Sequence, residues 1–195
     1  MRTELSIFLF CVLFFFYKGS AQERLSYEFY NKTERLGIGL VKIEKQLIVI
    51  KNQQLNKEIE EDIYSPKYIV PLFFKPDYNI FYVVCLENQK AYYKVLSATG
   101  DIYIVSKAEA KFVSWEAFLS NTTGVTNLNW ELNPLQEKPS EQSKVIRTKD
   151  REAAYQVINV KGDWIEIQNE HNAHEKGWIR WRKADSLLIE VYLLI

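Results

Sequence analysis

Glu170-His171-Asn172-Ala173-His174-Glu175 comes nearest to a reactive site in this chain. Two imidazoles three residues apart, His171 and His174, with flanking carboxylates, can bind zinc if the loop turns both rings inward. Both fall in one expected hairpin loop, and nothing around them supplies the outer hydrogen-bonding groups that orient metal ligands. An exposed polar hairpin is therefore the preferred reading, and no cofactor is expected. A small exported metal-dependent protein or enzyme using this loop is the alternative. Nucleophilic catalysis has little to build on. Cys85 sits mid-strand in an apolar run, Ile80 to Leu86, and reads as a small buried hydrophobe. No G-x-S-x-G motif occurs, and with 7 glycines few phosphate-cradling loops are available.

The second candidate is aromatic. Trp164, Trp178 and Trp181 fall on neighbouring expected strands, with Arg180 and Arg182 beside them. Tryptophans on one exposed face make a groove for peptide or glycan, whereas core packing is the plainer role for so large a ring. Alternation sets Trp178 and Trp181 on opposite faces of a strand, so at least one faces outwards.

These residues belong to a stretch, Tyr155 to Trp181, that reads as three antiparallel strands with a turn at Gly162-Asp163. Other expected strands of this half are Lys144–Thr148 and Leu187–Leu193. Upstream, strands are expected at Ile38–Ile43, Leu47–Ile50, Tyr68–Phe74, Asn79–Leu86, Ala91–Leu96 and Ile102–Val105. Pro71 marks an edge or bulge in the third of these. Asn52–Asp62 reads as a charged connection with room for one helical turn, its Glu58–Asp62 portion a solvated face. Ser114 caps a short helix over Ser114–Leu119. The Asn, Thr and Gly of residues 121–133 read as a linker. The chain thus divides into a leader (1–21), an extension (22–45), a β module (46–120), the linker, and a second β module (134–195).

Arg2, the apolar run Ile7–Tyr17 and the small residues Gly19-Ser20-Ala21 follow the export pattern, with cleavage before Gln22. The run is too short to span a membrane comfortably, so no transmembrane span is expected after cleavage. Cys11 lies within the run, which leaves the mature chain one cysteine and no internal disulfide. The style of the leader reads as bacterial, and the compartment as periplasmic or extracellular. Hydrophobic residues make up 47% of the chain and aromatics 14%, a composition that suits half-buried β-strands. Formal charge balances at zero, which argues against nucleic acid or an anionic bilayer as a partner.

From Leu132 onward the chain resembles a bacterial SH3-like (SH3b) domain. The resemblance rests on Leu135 to Ser140, Lys144-Val145-Ile146, the strand Tyr155 to Val160, Gly162-Asp163-Trp164 and Gly177-Trp178. A longer insertion at Asn169–Lys176 and an apolar strand after Trp181 depart from the pattern. The first half is similar in outline, as a divergent copy. The resemblance implies an all-β chain of two small SH3-like barrels in tandem, with a short helix before the linker. It also implies a binding or scaffold role, engaging cell-wall peptide, glycan or an envelope protein. Trp164, Trp178, Arg180 and Trp181 are the ligand-binding candidates on that reading.

Overall fold

The computed structural model describes residues 32–149 and 151–194. The expected leader, Cys11 and the start of the extension lie outside the described residues. Among these residues, fifteen strands form two large antiparallel sheets and a two-stranded ribbon, accompanied by one short α-helix and a 3-10 turn at Pro76–Tyr78. The first region supplies β1 (Gly39–Ile43), β2 (Leu47–Asn52), β3 (Lys57–Asp62), β4 (Phe73–Lys75), β5 (Ile80–Asn88), β6 (Tyr92–Leu96), β7 (Ile102–Ser106) and β8 (Ala110–Val113). Their order across the sheet is β3-β2-β7-β6-β5-β1-β8, with β4 also on β5. Helix α1 (Trp115–Leu119) follows, and the Ser114 hydroxyl accepts from the Ala117 N–H at 3.1 Å, as the sequence led us to expect. The second region supplies β9 (Gly124–Asn127), β10 (Tyr155–Lys161), β11 (Trp164–Asn169), β12 (Lys176–Arg180) and β15 (Ile189–Tyr192), in the order β12-β11-β10-β9-β15. The ribbon is β13 (Arg182–Lys183) with β14 (Ser186–Leu187).

The mainly-β expectation holds, but among the described residues neither sheet closes into a barrel. The two sheets also differ in strand number and order, so the first is not laid out as a copy of the second. Closure is unnecessary because each sheet finds cover elsewhere. Leu36, Leu40, Phe73, Trp115 and Phe118 of the first region pack in one cluster with Tyr155, Ile165, Ile179 and Trp181 of the second. A separate cluster, including Val41, Ile50, Phe81, Val83 and Tyr93, belongs to the first region alone. Successive residues of β1 divide between the two clusters, Leu40 to the shared one and Val41 to the private one, as strand alternation dictates.

Several expectations need correcting. The charged connection at 52–62 contains no helical turn; it is hairpin strand β3, paired with β2 from Leu47↔Asp62 to Asn52↔Lys57. Its charge is physically reasonable on an edge strand, where it discourages further pairing. Nor is all of it solvated. Glu61 is 1% exposed and accepts the N–H groups of Lys67, Tyr68 and Ile69 at 2.8, 2.7 and 2.9 Å. Pro71 limits the strand expected over 68–74 to Phe73–Lys75. Residues 121–133 do not act as a bare linker, because β9 pairs with both β10 and β15 inside the second sheet. The strand expected at Lys144–Thr148 forms only one bridge, Val145 to Gln136.

Candidate functional site

Strand register brings three of the four aromatic-site candidates onto one face. In β11 and β12, Trp164 pairs with Arg180, Glu166 with Trp178 and Gln168 with Lys176. Directly paired residues point to the same side, and alternate residues of one strand share a side, so all six face outward together. The intervening Ile165, Ile167 and Ile179 are buried in the shared core. On β10, Lys161 pairs with Trp164, Asn159 with Glu166 and Gln156 with Gln168. An irregularity between Val157 and Asn159 inserts Ile158, which lets both halves of β10 keep their polar residues on this face. The hairpin joining β10 to β11 turns at Gly162, whose φ of +58° suits the first central position of a tight two-residue loop.

Charge is distributed across the face in pairs. The Arg180 guanidinium lies 5.2 Å from the centre of the Trp164 ring and pairs with Glu141 at 2.8 Å. Lys176 pairs with Glu166 at 3.1 Å. Asn133 clamps the end of β12 by donating to the Arg180 carbonyl at 2.8 Å and accepting its N–H at 3.0 Å. A short arm covers the edge of β12, with Gln136 and Trp178 exchanging both backbone hydrogen bonds at 2.8 Å. Gly177 must be glycine for this approach. A Cβ there would stand 2.7 Å from the Gln136 carbonyl oxygen and 2.9 Å from Leu135. Gln136 Oε1 and Arg180 Nε are buried side-chain polar atoms without a hydrogen-bond partner among the described residues. Both belong to residues beside Trp178, and such atoms are uncommon enough in folded proteins to call for an explanation.

The five tryptophans separate into two kinds. Trp115, Trp130 and Trp181 are buried, and each indole N–H donates to a backbone carbonyl: Leu36 at 2.8 Å, Arg151 at 2.9 Å and Gly162 at 2.8 Å. Trp164 and Trp178 are half-buried, and neither indole N–H donates a hydrogen bond to another described residue. Trp181 is therefore a core residue, not part of an exposed groove. It is 2% exposed, its ring centre lies 5.2 Å from that of Trp115, and Arg182 covers it while paired with Asp163 at 2.6 Å. The opposite facing of Trp178 and Trp181 was legible from strand parity. Which of the two faced inward depended on α1, whose position the sequence did not reveal.

His171 and His174 are exposed in the loop between β11 and β12. Their backbone N–H groups donate to Asn169 and Asn172 side chains at 2.8 and 3.3 Å. Glu175 turns away from them into the core, where it accepts the Tyr155 hydroxyl at 2.9 Å and the Lys149 N–H at 3.1 Å. Among the described residues no group of three or more His, Cys, Asp or Glu side chains is placed to hold a metal. Cys85 is fully buried in β5, and burial pushes its thiol up to about 11, so it is a poor nucleophile at neutral pH. Sequence reading missed Gln156, Asn159, Lys161, Glu166 and Gln168 as companions of the tryptophans. Alternation in β11 could have found Glu166 and Gln168; the β10 residues depend on a bulge that no pattern announced.

No helix among the described residues is long and apolar enough to cross a membrane. No protein-family model matches this chain, and no curated protein matches it. Among solved structures, NlpC2 from Trichomonas vaginalis is similar at 14% sequence identity and a TM-score of 0.28, over 76% of this chain. The chain spans about half of that protein, 50% of its length.

Proposed function

We propose that this is an exported, non-enzymatic binding protein of the cell envelope, engaging glycan or peptide through an SH3-like surface on its second sheet. One observation carries the reading: Trp164 and Trp178 share an outward face and donate no indole hydrogen bond to the described residues, while the other three tryptophans are built into the core. A half-exposed tryptophan offers a flat apolar platform, and its N–H is a donor awaiting an acceptor. Around the pair stand Gln156, Asn159, Glu166, Gln168 and Arg180, groups that can hydrogen-bond sugar hydroxyls or peptide amides. Few polar groups about an aromatic floor is the usual composition of a ligand site.

Titration of the protein with purified peptidoglycan fragments, followed by tryptophan fluorescence, tests the proposal. The expected result is a saturable change. Trp178→Ala should weaken it by about 2 kcal/mol or more, the scale of an aromatic hot spot. No change with any fragment would remove the cell-wall ligand and leave a protein partner as the occupant of this face.

A further inference from the structure

Beyond the tryptophan face, the arm that covers β12 ends in a strand edge that pairs with no other strand among the described residues. Gln136 uses its own N–H and carbonyl on Trp178, and the arm folds back through Ile146 N–H to Leu135 O at 2.7 Å and Glu137 N–H to Lys144 O at 2.9 Å. In this antiparallel pattern the N–H and carbonyl of Val145 point away from Gln136. Neither Val145 nor Arg147 makes a backbone hydrogen bond through its N–H among the described residues. Val145 is 53% exposed. Alongside this edge runs a cleft of about 500 Å³ with Trp130, Pro134 and Leu135 on its apolar side and Arg147, Thr148 and Arg151 on its polar side. Arg147 makes no ion pair among the described residues, and Arg151 meets Glu131 only at 4.0 Å.

We propose that an extended acidic peptide binds here as an added strand along Val145–Arg147, with its carboxylates held by Arg147 and Arg151. Unpaired edge groups supply main-chain recognition, and alternate side chains of an added strand reach either the cleft or solvent. Guanidinium groups match carboxylates in shape as well as charge. The apolar wall asks for an aliphatic residue between acidic ones, which a free anion lacks. A nucleic acid would want a broad basic field, and the formal charge of this chain balances at zero.

The probe is a fluorescein-labelled peptide of alternating valine and glutamate, followed by anisotropy and by the Trp130 indole resonance, whose N–H donates to Arg151 O beside the cleft. Saturable binding that shifts this resonance is expected. Arg147→Glu or Arg151→Glu, both at exposed positions, should weaken it by about tenfold or more, as loss of a charge-assisted pair does. The same peptide with glutamines, or with alternate amides N-methylated, should bind at least about tenfold more weakly. Trp178→Ala should leave affinity within about twofold. No saturable binding, equal binding of the glutamine or N-methylated peptide, or loss of binding in Trp178→Ala would each overturn the proposal. The last result would assign the peptide to the tryptophan face instead.

Discussion

Around β1 and β5 the first sheet buries apolar residues on both of its faces, whereas the second sheet buries one face and leaves the other half-exposed. Strands β1 and β5 carry almost unbroken apolar runs because one side serves a private core and the other a shared one. Strands β11 and β12 alternate cleanly between buried and half-buried positions. Where the first sheet is enclosed on both sides, at β1 and β5, it has no face to offer a ligand, and its outer face opens towards β2, where Leu47 and Val49 are exposed. The second sheet owes its open face to the first region, which covers its inner side through α1 and Trp115. The proposed binding face lies on the second region, and the shared core ties the two regions together.

The sharpest way to break this comparison is to remove the shared core. Trp181→Ala takes out a ring in contact with Trp115 and strands the Gly162 carbonyl. A loss of about 3–5 kcal/mol is expected, and the wild-type protein, whose two regions share this core, should unfold in one cooperative transition by heat or urea. Two well-separated transitions in the wild-type protein would contradict the shared core. Next in size are the buried carboxylates, one in each region. Glu61→Ala leaves three loop N–H groups without this acceptor, and Glu175→Ala removes the hydrogen bonds to the Tyr155 hydroxyl and the Lys149 N–H. Each should cost about 1–3 kcal/mol, read as a lowered urea midpoint with an unchanged slope.

A smaller effect separates the private core from the open face by pH. Burial holds the Cys85 thiol up at about 11 against an ordinary value of 9.0, so the folded chain keeps this proton after the unfolded chain starts to lose it. The contribution is full below about pH 9 and declines as pH rises towards 11. Burial also raises Tyr82 and Tyr103, which act in the same direction. Cys85→Ala should flatten part of the alkaline decline in urea midpoint; an unchanged decline would show that the thiol does not contribute. Least affected should be Lys176→Ala on the open face, which removes the pair with Glu166 and should shift stability by no more than about 1 kcal/mol. A larger loss would mean that this face is structural.

What the sequence disclosed follows the strength of local pattern. Strands β5 to β7 and β10 to β12 stand where alternation and turn residues place them, because their neighbours in sequence are also their neighbours in the sheet. Strand β3 was hidden by its charge, since Glu58, Glu60 and Glu61 read as a solvated surface when edge pairing is out of view. Strand β9 was hidden by its company. Gly124–Asn127 looks like linker until β15, more than sixty residues later, lies beside it. The site divides in the same manner. Trp164, Trp178 and Arg180 are joined by local hairpin register. Trp181 is claimed by the distant Trp115, a pairing that no periodicity encodes.

The most direct test is the indole N–H region of a ¹H–¹⁵N spectrum during titration with peptidoglycan fragments, because it reports the five tryptophans separately. The resonances of Trp164 and Trp178 should shift together and saturate, while those of Trp115 and Trp181, fixed to Leu36 and Gly162 in the shared core, stay in place. Shifts confined to Trp115 and Trp181, or no shift at Trp164 and Trp178 at saturating fragment, would contradict the assignment of this face to glycan or peptide binding.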